Sequence, residues 1–325
     1  MKKQLVLVVG AAALASFVSF PSFAAEAKVV ATNVAYYSGA ALATATDYQK
    51  ARCRLDVRVP DGATNFATVV WFHGGGLVGG EKHFIRISDD IAQVAVNYRF
   101  LQKDGSVTGD DCINDAAAAV AWTLKNIVRF GGDPKKVYVS GMSAGGYLTM
   151  MVGMDPSRLA PYGFKPTDLA GIAPVSGQAT KHFNVRIYSG DSDPQYLPKI
   201  DRLSPLAFCS TNVPPIVDVC GQPPYEWACR AEENRLLVAA LKALGHRAAV
   251  FVECDLCDHG RTATAAEPYV EMFVQGRLPG RGGMWYHTRQ FERQKKSERK
   301  RMTTDCVASK LREVEGKIVS DHEIR

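Results

Sequence analysis

The sequence predicts an α/β fold: a mostly parallel central sheet with helices on both faces and a small cap-like insertion. Three observations predict it. Short apolar runs ending in glycine or polar turn residues read as buried strands. Longer stretches between them read as helices, and the longest, Asp110 to Arg129, holds neither Gly nor Pro. The two kinds alternate from residue 67 to residue 275, the pattern of crossover-connected parallel strands.

The elements follow in order. Ala67 to Phe72 is a strand that runs into His73 and three glycines, and Ile91 to Tyr98 is the next strand. The Ala-rich helix Asp110–Arg129 is broken by Gly131-Gly132-Asp133-Pro134. Lys136 to Ser140 is a strand, and Ala144 to Met154 a helix of small and apolar residues. Strands at Gly171–Val175, Ile216–Cys220 and Ala248–Val252 then alternate with helices at Ala228–Leu244 and Ala265–Gln275. The stretch from Ser176 to Pro215 lacks a long periodic element and reads as an insertion capping the site or, alternatively, as a meandering surface connection. In such sheets ligands bind beyond the carboxyl ends of the strands, so the residues just after each strand deserve the closest reading.

Composition narrows the class. The chain has 325 residues, of which 46% are hydrophobic and 22% charged, which excludes a disordered or collagen-like chain and a polytopic membrane protein. The net charge of +6 sits mostly at the ends. Lys2 and Lys3 stand at one end, and residues 281–325, with 12 Lys+Arg against 7 Asp+Glu, at the other. The near-neutral body gives no basic face for nucleic acid.

Lys2, Lys3 and the apolar run Leu5–Phe20, followed by Ser22-Phe23-Ala24, read as a signal peptide over residues 1–24 cleaved after Ala24. Export to the periplasm or medium is the expectation, with no stable membrane span after cleavage. A catalytic domain is expected over 25–278, with 176–215 as its insertion, and a charged tail, solvated or disordered, over 279–325. The eight cysteines (53, 112, 209, 220, 229, 254, 257 and 306) then meet an oxidising compartment, with pairing left open. Cys254-Asp255-Leu256-Cys257 has C-x-x-C spacing, but no second pair or His set accompanies it, so structural thiols or bridges are expected rather than a metal site.

Three motifs carry chemistry. Gly141-Met142-Ser143-Ala144-Gly145 fits G-x-S-x-G between a strand and a helix, the tight turn that lifts Ser143 to the sheet's edge as a nucleophile. His73-Gly74-Gly75-Gly76 follows a strand, and its bare backbone can bring N–H donors to an oxyanion. His73 itself reads as a structural loop residue. Asp258-His259-Gly260 follows the last strand expected before residue 260, which suits His259 as the base; His182, His246 and His83 compete. The acid that orients the base should lie between Ser143 and His259. Glu226 is the one acid in the loop after Ile216–Cys220; Asp218 lies within that strand, and Asp255 and Asp258 sit too close to His259.

Together these motifs resemble the α/β-hydrolase superfamily, over roughly Asp47 to Gln275. The resemblance is closest to carboxylesterases of the hormone-sensitive-lipase-like and bacterial feruloyl or acetyl-xylan esterase-like groups. It implies Ser143 as nucleophile, His259 as base, and the amides of Gly75, Gly76 and Ala144 as oxyanion donors. The departure is at the acid: many relatives carry Gly-x-x-Asp after this strand, whereas here Pro224 holds that place and Glu226 comes two residues later.

The reading is an exported serine esterase acting through an acyl-enzyme, without metal or organic cofactor. Its expected partner is a small-molecule or polysaccharide ester. The rivals are a serine peptidase on the same fold and a binding module that kept the fold and lost the chemistry. Acyl and alcohol specificity and oligomeric state stay open.

Overall fold

The computed structural model describes residues 26–278 and 284–286. The expected signal peptide, Cys306 and the remainder of the tail lie outside the described residues.

Strands are β1 (Ala27–Ala35), β2 (Arg54–Pro60), β3 (Phe66–Phe72), β4 (Ala92–Val96), β5 (Gly132–Met142), β6 (Gly171–Val175), β7 (Ile216–Gly221), β8 (Ala249–Cys254) and β9 (Met284–Tyr286). Helices are α1 (Gly39–Ala43), α2 (Asp47–Arg52), α3 (Gly109–Asn126), α4 (Ala144–Met154), α5 (Pro156–Leu159), α6 (Phe183–Tyr188), α7 (Arg230–Ala243), α8 (His259–Ala265) and α9 (Glu267–Val274). One sheet runs in the order β1-β2-β4-β3-β5-β6-β7-β8-β9. β2 pairs antiparallel with both β1 and β4, and all later neighbours pair parallel.

Side-chain alternation sorts the sheet into two cores. Val70, Phe72, Val139, Ile172, Ile216 and Phe251 face α3, α4 and α7. Val69, Trp71, Val175, Val219 and Val252 face α9, which contributes Tyr269, Val270 and Val274. α3 starts on a capping box, in which Thr108 accepts from the Asp111 amide while the Asp111 carboxylate accepts from the Thr108 amide at 2.8 Å. A short 3-10 turn follows α3 and ends at Gly131, whose φ of 94° takes the left-handed conformation that closes a helix.

Four features depart from the sequence reading. The expected helix Ala265–Gln275 is α9, but a further helix that was not expected, α8, precedes it and starts at His259. The polar run His-Gly-Arg-Thr of α8 carries no apolar stripe; its start is set by Asp258, whose side chain accepts from the Arg261 amide. The antiparallel strands β1 and β2 were not expected, although the β2 run Arg-Leu-Asp-Val-Arg-Val alternates with buried Leu55, Val57 and Val59. β5 begins at Gly132 rather than Lys136, so the Gly-Gly-Asp-Pro breaker runs into the strand. Finally, β9 lies inside the segment expected as a tail and adds a parallel edge to β8.

Between β6 and α7 the expected cap segment folds closely onto the body. α6 places Asn184 so that its side-chain amide donates to Gly76 O at 2.7 Å. Arg186, 1% exposed, ties the following loop by bonds to Asp191 and to Leu197 O.

Candidate active site

Ser143 stands between β5 and α4 with φ 56° and ψ −112°, a strained conformation for a residue with a side chain. The turn is possible because its flanks are bare: a Cβ on Gly141 would lie 2.6 Å from the Gly145 carbonyl carbon, and one on Gly145 would lie 2.6 Å from that of Phe72. The Ser143 amide donates to Val175 O at 2.8 Å, which ties the turn to β6.

The three residues expected from different loops meet in one hydrogen-bonded row. His259 Nε2 lies 2.8 Å from Ser143 Oγ, and His259 Nδ1 lies 2.7 Å from Glu226 Oε1. Burial pushes the Glu226 carboxyl up, but the hydrogen bond and charge of His259, the Ser176 hydroxyl and the Trp227 amide outweigh it, holding the carboxyl below its usual range. An ionised carboxylate only accepts, so Nδ1 carries the proton and donates. In the neutral form of the ring, that leaves Nε2 bare to accept the Ser143 proton.

Two neighbours unforeseen in the sequence hold the acid. Ser176 Oγ donates to Glu226 Oε2 at 2.7 Å, and the Trp227 amide donates to Glu226 Oε1 at 2.8 Å. Gly221 closes the space below: a Cβ there would stand 2.9 Å from Glu226 Oε2, 2.6 Å from Cys257 O and 2.7 Å from Thr262 Oγ1. The Trp227 ring lies flat on the His259 imidazole, with centroids 3.6 Å apart and planes 15° apart. Buried Arg230 touches both supports, donating from Nη1 to Ser176 O at 2.6 Å and lying 5.6 Å from the Trp227 ring centre. Signals for these residues existed. Ser176 directly follows β6, and Arg230 puts a cation in the first turn of α7, where the helix dipole disfavours one.

The glycine loop meets the nucleophile from the end of β3. A Cβ on Gly74 would be 3.5 Å from Ser143 Cβ. Gly75 and Gly76 have φ of 105° and 65°, and Val78 and Gly79 amides donate back to Gly75 O. Among the described residues, neither the Gly75 nor the Gly76 amide donates to a protein acceptor, and Ala144 opens α4 beside Ser143. His73 is structural, as expected: it stacks on Tyr98 at 4.5 Å, and burial lowers its pKa to about 4.

The competing groups sit elsewhere. His83 Nε2 accepts from Trp71 Nε1, and His246 bonds Val213 O. His182 is buried, accepts from the Asn184 amide and stacks on Phe183, and burial drives its pKa well below the usual value. Asp218 points into the α7 side of the sheet, with neither carboxylate oxygen hydrogen-bonded. Asp258 is the cap of α8. Among the described residues no group of three or more His, Cys, Asp or Glu converges as a metal site requires.

Comparison with known proteins finds similar sequences and similar folds. The BD-FAE family model matches residues 55–160. Esterase E4 of Myzus persicae is 40% identical over 88 residues, covering 24% of this chain and 16% of the relative. Carboxylesterase 1F of Mus musculus is 29% identical over 163 residues, covering 47% and 27%. The chain thus spans between about a sixth and a quarter of the curated relatives' length. In shape it is similar to a truncated carbohydrate esterase from gut microbiota, with TM-score 0.58, 15% identity and coverage of 79% of this chain and 98% of that one. A thermophilic esterase of Thermogutta terrifontis with propionate bound has TM-score 0.54, 20% identity and coverage of 80% and 97%.

Proposed function

We propose that this chain, which has the α/β-hydrolase fold, is a serine hydrolase of carboxylic esters that works through an acyl-enzyme. The single observation that carries the reading is the Ser143–His259–Glu226 row, with bonds of 2.8 and 2.7 Å. Ser143 Oγ attacks the ester carbonyl while its proton passes to His259 Nε2. The imidazolium is stabilised by ionised Glu226, and the amides of Gly75, Gly76 and Ala144 receive the oxyanion. His259 returns the proton to the departing alcohol. Water, deprotonated by the same nitrogen, then releases the acid and restores Ser143.

The polar, closely supported acid argues for an active enzyme rather than a binding module: a module has no use for a carboxylate held by three donors. The substrate we favour is an acetyl or feruloyl ester of a polysaccharide. The BD-FAE match and the carbohydrate esterase in the structural comparison support that choice. So does the aromatic group beside His259, where Trp227, Tyr196 and Phe183 have centroids 5.6 to 6.0 Å apart. The Ser176–Pro215 segment would act as the cap, since α6 leans on Gly76. Export completes the proposal, with a mature protein beginning at Ala25; N-terminal sequencing from the native host checks it, and recovery of Met1 would defeat it.

The test of the mechanism is direct. A fluorophosphonate probe should label Ser143, and Ser143→Ala should abolish both labelling and turnover of p-nitrophenyl acetate with the fold intact by circular dichroism. Turnover within tenfold of wild type would sink the mechanism. Turnover of peptides but not esters would assign the site to a peptidase.

A further inference from the structure

The function proposed above makes no use of the C-x-x-C pair, yet that pair sits at the root of the loop that carries His259. Cys254 ends β8, 2% exposed, and Cys257 is half-buried two residues before His259. Between them the chain makes a tight turn: the Cys257 amide donates to Cys254 O, and Leu256 takes a φ of 55°. A turn of this kind holds its first and fourth Cα within about 7 Å, and a disulfide spans Cα separations of roughly 4.4–6.8 Å. The backbone therefore brings the two thiols within bridging reach without moving β8 or α8.

No other described cysteine competes. Cys220 belongs to the neighbouring strand but faces the α7 side of the sheet, whereas Cys254 faces the α9 side. Cys254 and Cys257 are each the neighbouring thiol that most affects the other, and in this structure both are free. The neighbouring thiol holds Cys257 below its usual range and pushes Cys254 up, so the more accessible sulfur is also the readier nucleophile.

We propose that Cys254 and Cys257 close to a disulfide that clasps the junction of the base and acid loops. The turn also touches the acid loop, since the Leu256 amide donates to Gln222 Oε1 and Cys257 O accepts from the Gln222 amide. The oxidant is a small-molecule disulfide such as oxidised glutathione. Cys257 thiolate attacks one of its sulfurs, forming a mixed disulfide and releasing one glutathione thiolate. Cys254, losing its proton, attacks Cys257 Sγ and expels the second glutathione. The pair is oxidised by two electrons and the reagent is reduced to two thiols. Because the His259–Glu226 bond is formed with both thiols free, the clasp makes the loop more durable rather than building the site.

The experiment uses the wild-type chain and needs no activity. After incubation with oxidised glutathione, the protein is alkylated under denaturing, non-reducing conditions and digested with trypsin. Residues 248–261 should come off with neither cysteine alkylated and two hydrogens lighter than the dithiol. Alkylation of both, a persistent glutathione adduct, or linkage of either to another cysteine would overturn the proposal. Thermal unfolding rates by circular dichroism give a second reading. The oxidised wild type should unfold roughly threefold more slowly than the reduced, and Cys257→Ser should lose that difference. Equal rates in the two redox states of the wild type would remove the clasp.

Discussion

Glu226 and Asp218 are carboxylates carried by the same strand and the loop after it, and the fold treats them in opposite ways. Exposure does not separate them, since Glu226 is 6% and Asp218 0% exposed. Partners do. Glu226 receives bonds from His259, Ser176 and the Trp227 amide, and these hold it ionised against burial. Asp218 receives none, and burial pushes its carboxyl well above the usual range, with Arg230 only partly opposing. A buried acid is therefore an orienting anion only where donors converge on it; elsewhere it is a neutral group and a cost.

The largest expected effect tests the partnered acid. Glu226→Gln should lower kcat by at least on the order of 10²-fold with KM little changed, because a neutral amide no longer stabilises the imidazolium. Near-normal turnover of p-nitrophenyl acetate would break the comparison. A smaller effect is expected one step out, at the residue that steadies Ser176 and Trp227. Arg230→Met should lower kcat by about tenfold, since it leaves the Ser176 carbonyl unpaired. Arg230→Lys should recover part of that loss, whereas equal losses in both variants would mean that the planar fork matters more than the cation.

For the unpartnered acid, Asp218→Asn should leave kcat within about threefold of wild type. Its signature is stability. A carboxyl whose folded pKa is raised contributes stability below the unfolded value of about 3.9 and loses it as pH rises toward the folded value. The variant should thus exceed wild type by on the order of 1 kcal/mol at pH 7 in urea melts, with the gap shrinking toward pH 4. A gap that ran the other way would show Asp218 to be charged and paired. The smallest effect carries the same rule to a base. His73, lowered to about 4 by burial, binds its proton more readily when unfolded, so stability falls as pH drops from about 6.5 toward 4. His73→Asn should flatten that slope.

Much of the frame was legible because glycine bounds the apolar runs. α4 and β6 fall at Ala144–Met154 and Gly171–Val175, as the sequence reading drew them. Ser143, His259 and Glu226 were legible for another reason: chain order and position after a strand limit the choice to a few polar residues. What escaped was whatever depends on contact. α8 is amphipathic in no obvious way and is fixed by one cap. Ser176 and Arg230 give only slight signals in sequence, and only folding brings the hydroxyl of one to Glu226 and the guanidinium of the other to its carbonyl. Strand β2 was there to be read in its alternation, but it carries no chemistry.

Gly221 sets a limit on how this scaffold can be redesigned. Any side chain there would press at once on the acid, the carbonyl of Cys257 and the hydroxyl of Thr262. Selection schemes that randomise the two loops separately, hunting for new specificity, can vary Pro224 or Gly260 without reaching that point of contact. A library that admits Ala at 221 instead moves both loops by one change, so its inactive members cluster at a buried position under the acid. Mutational tolerance in this scaffold is therefore expected to be discontinuous, with an intolerant position inside an otherwise permissive neighbourhood.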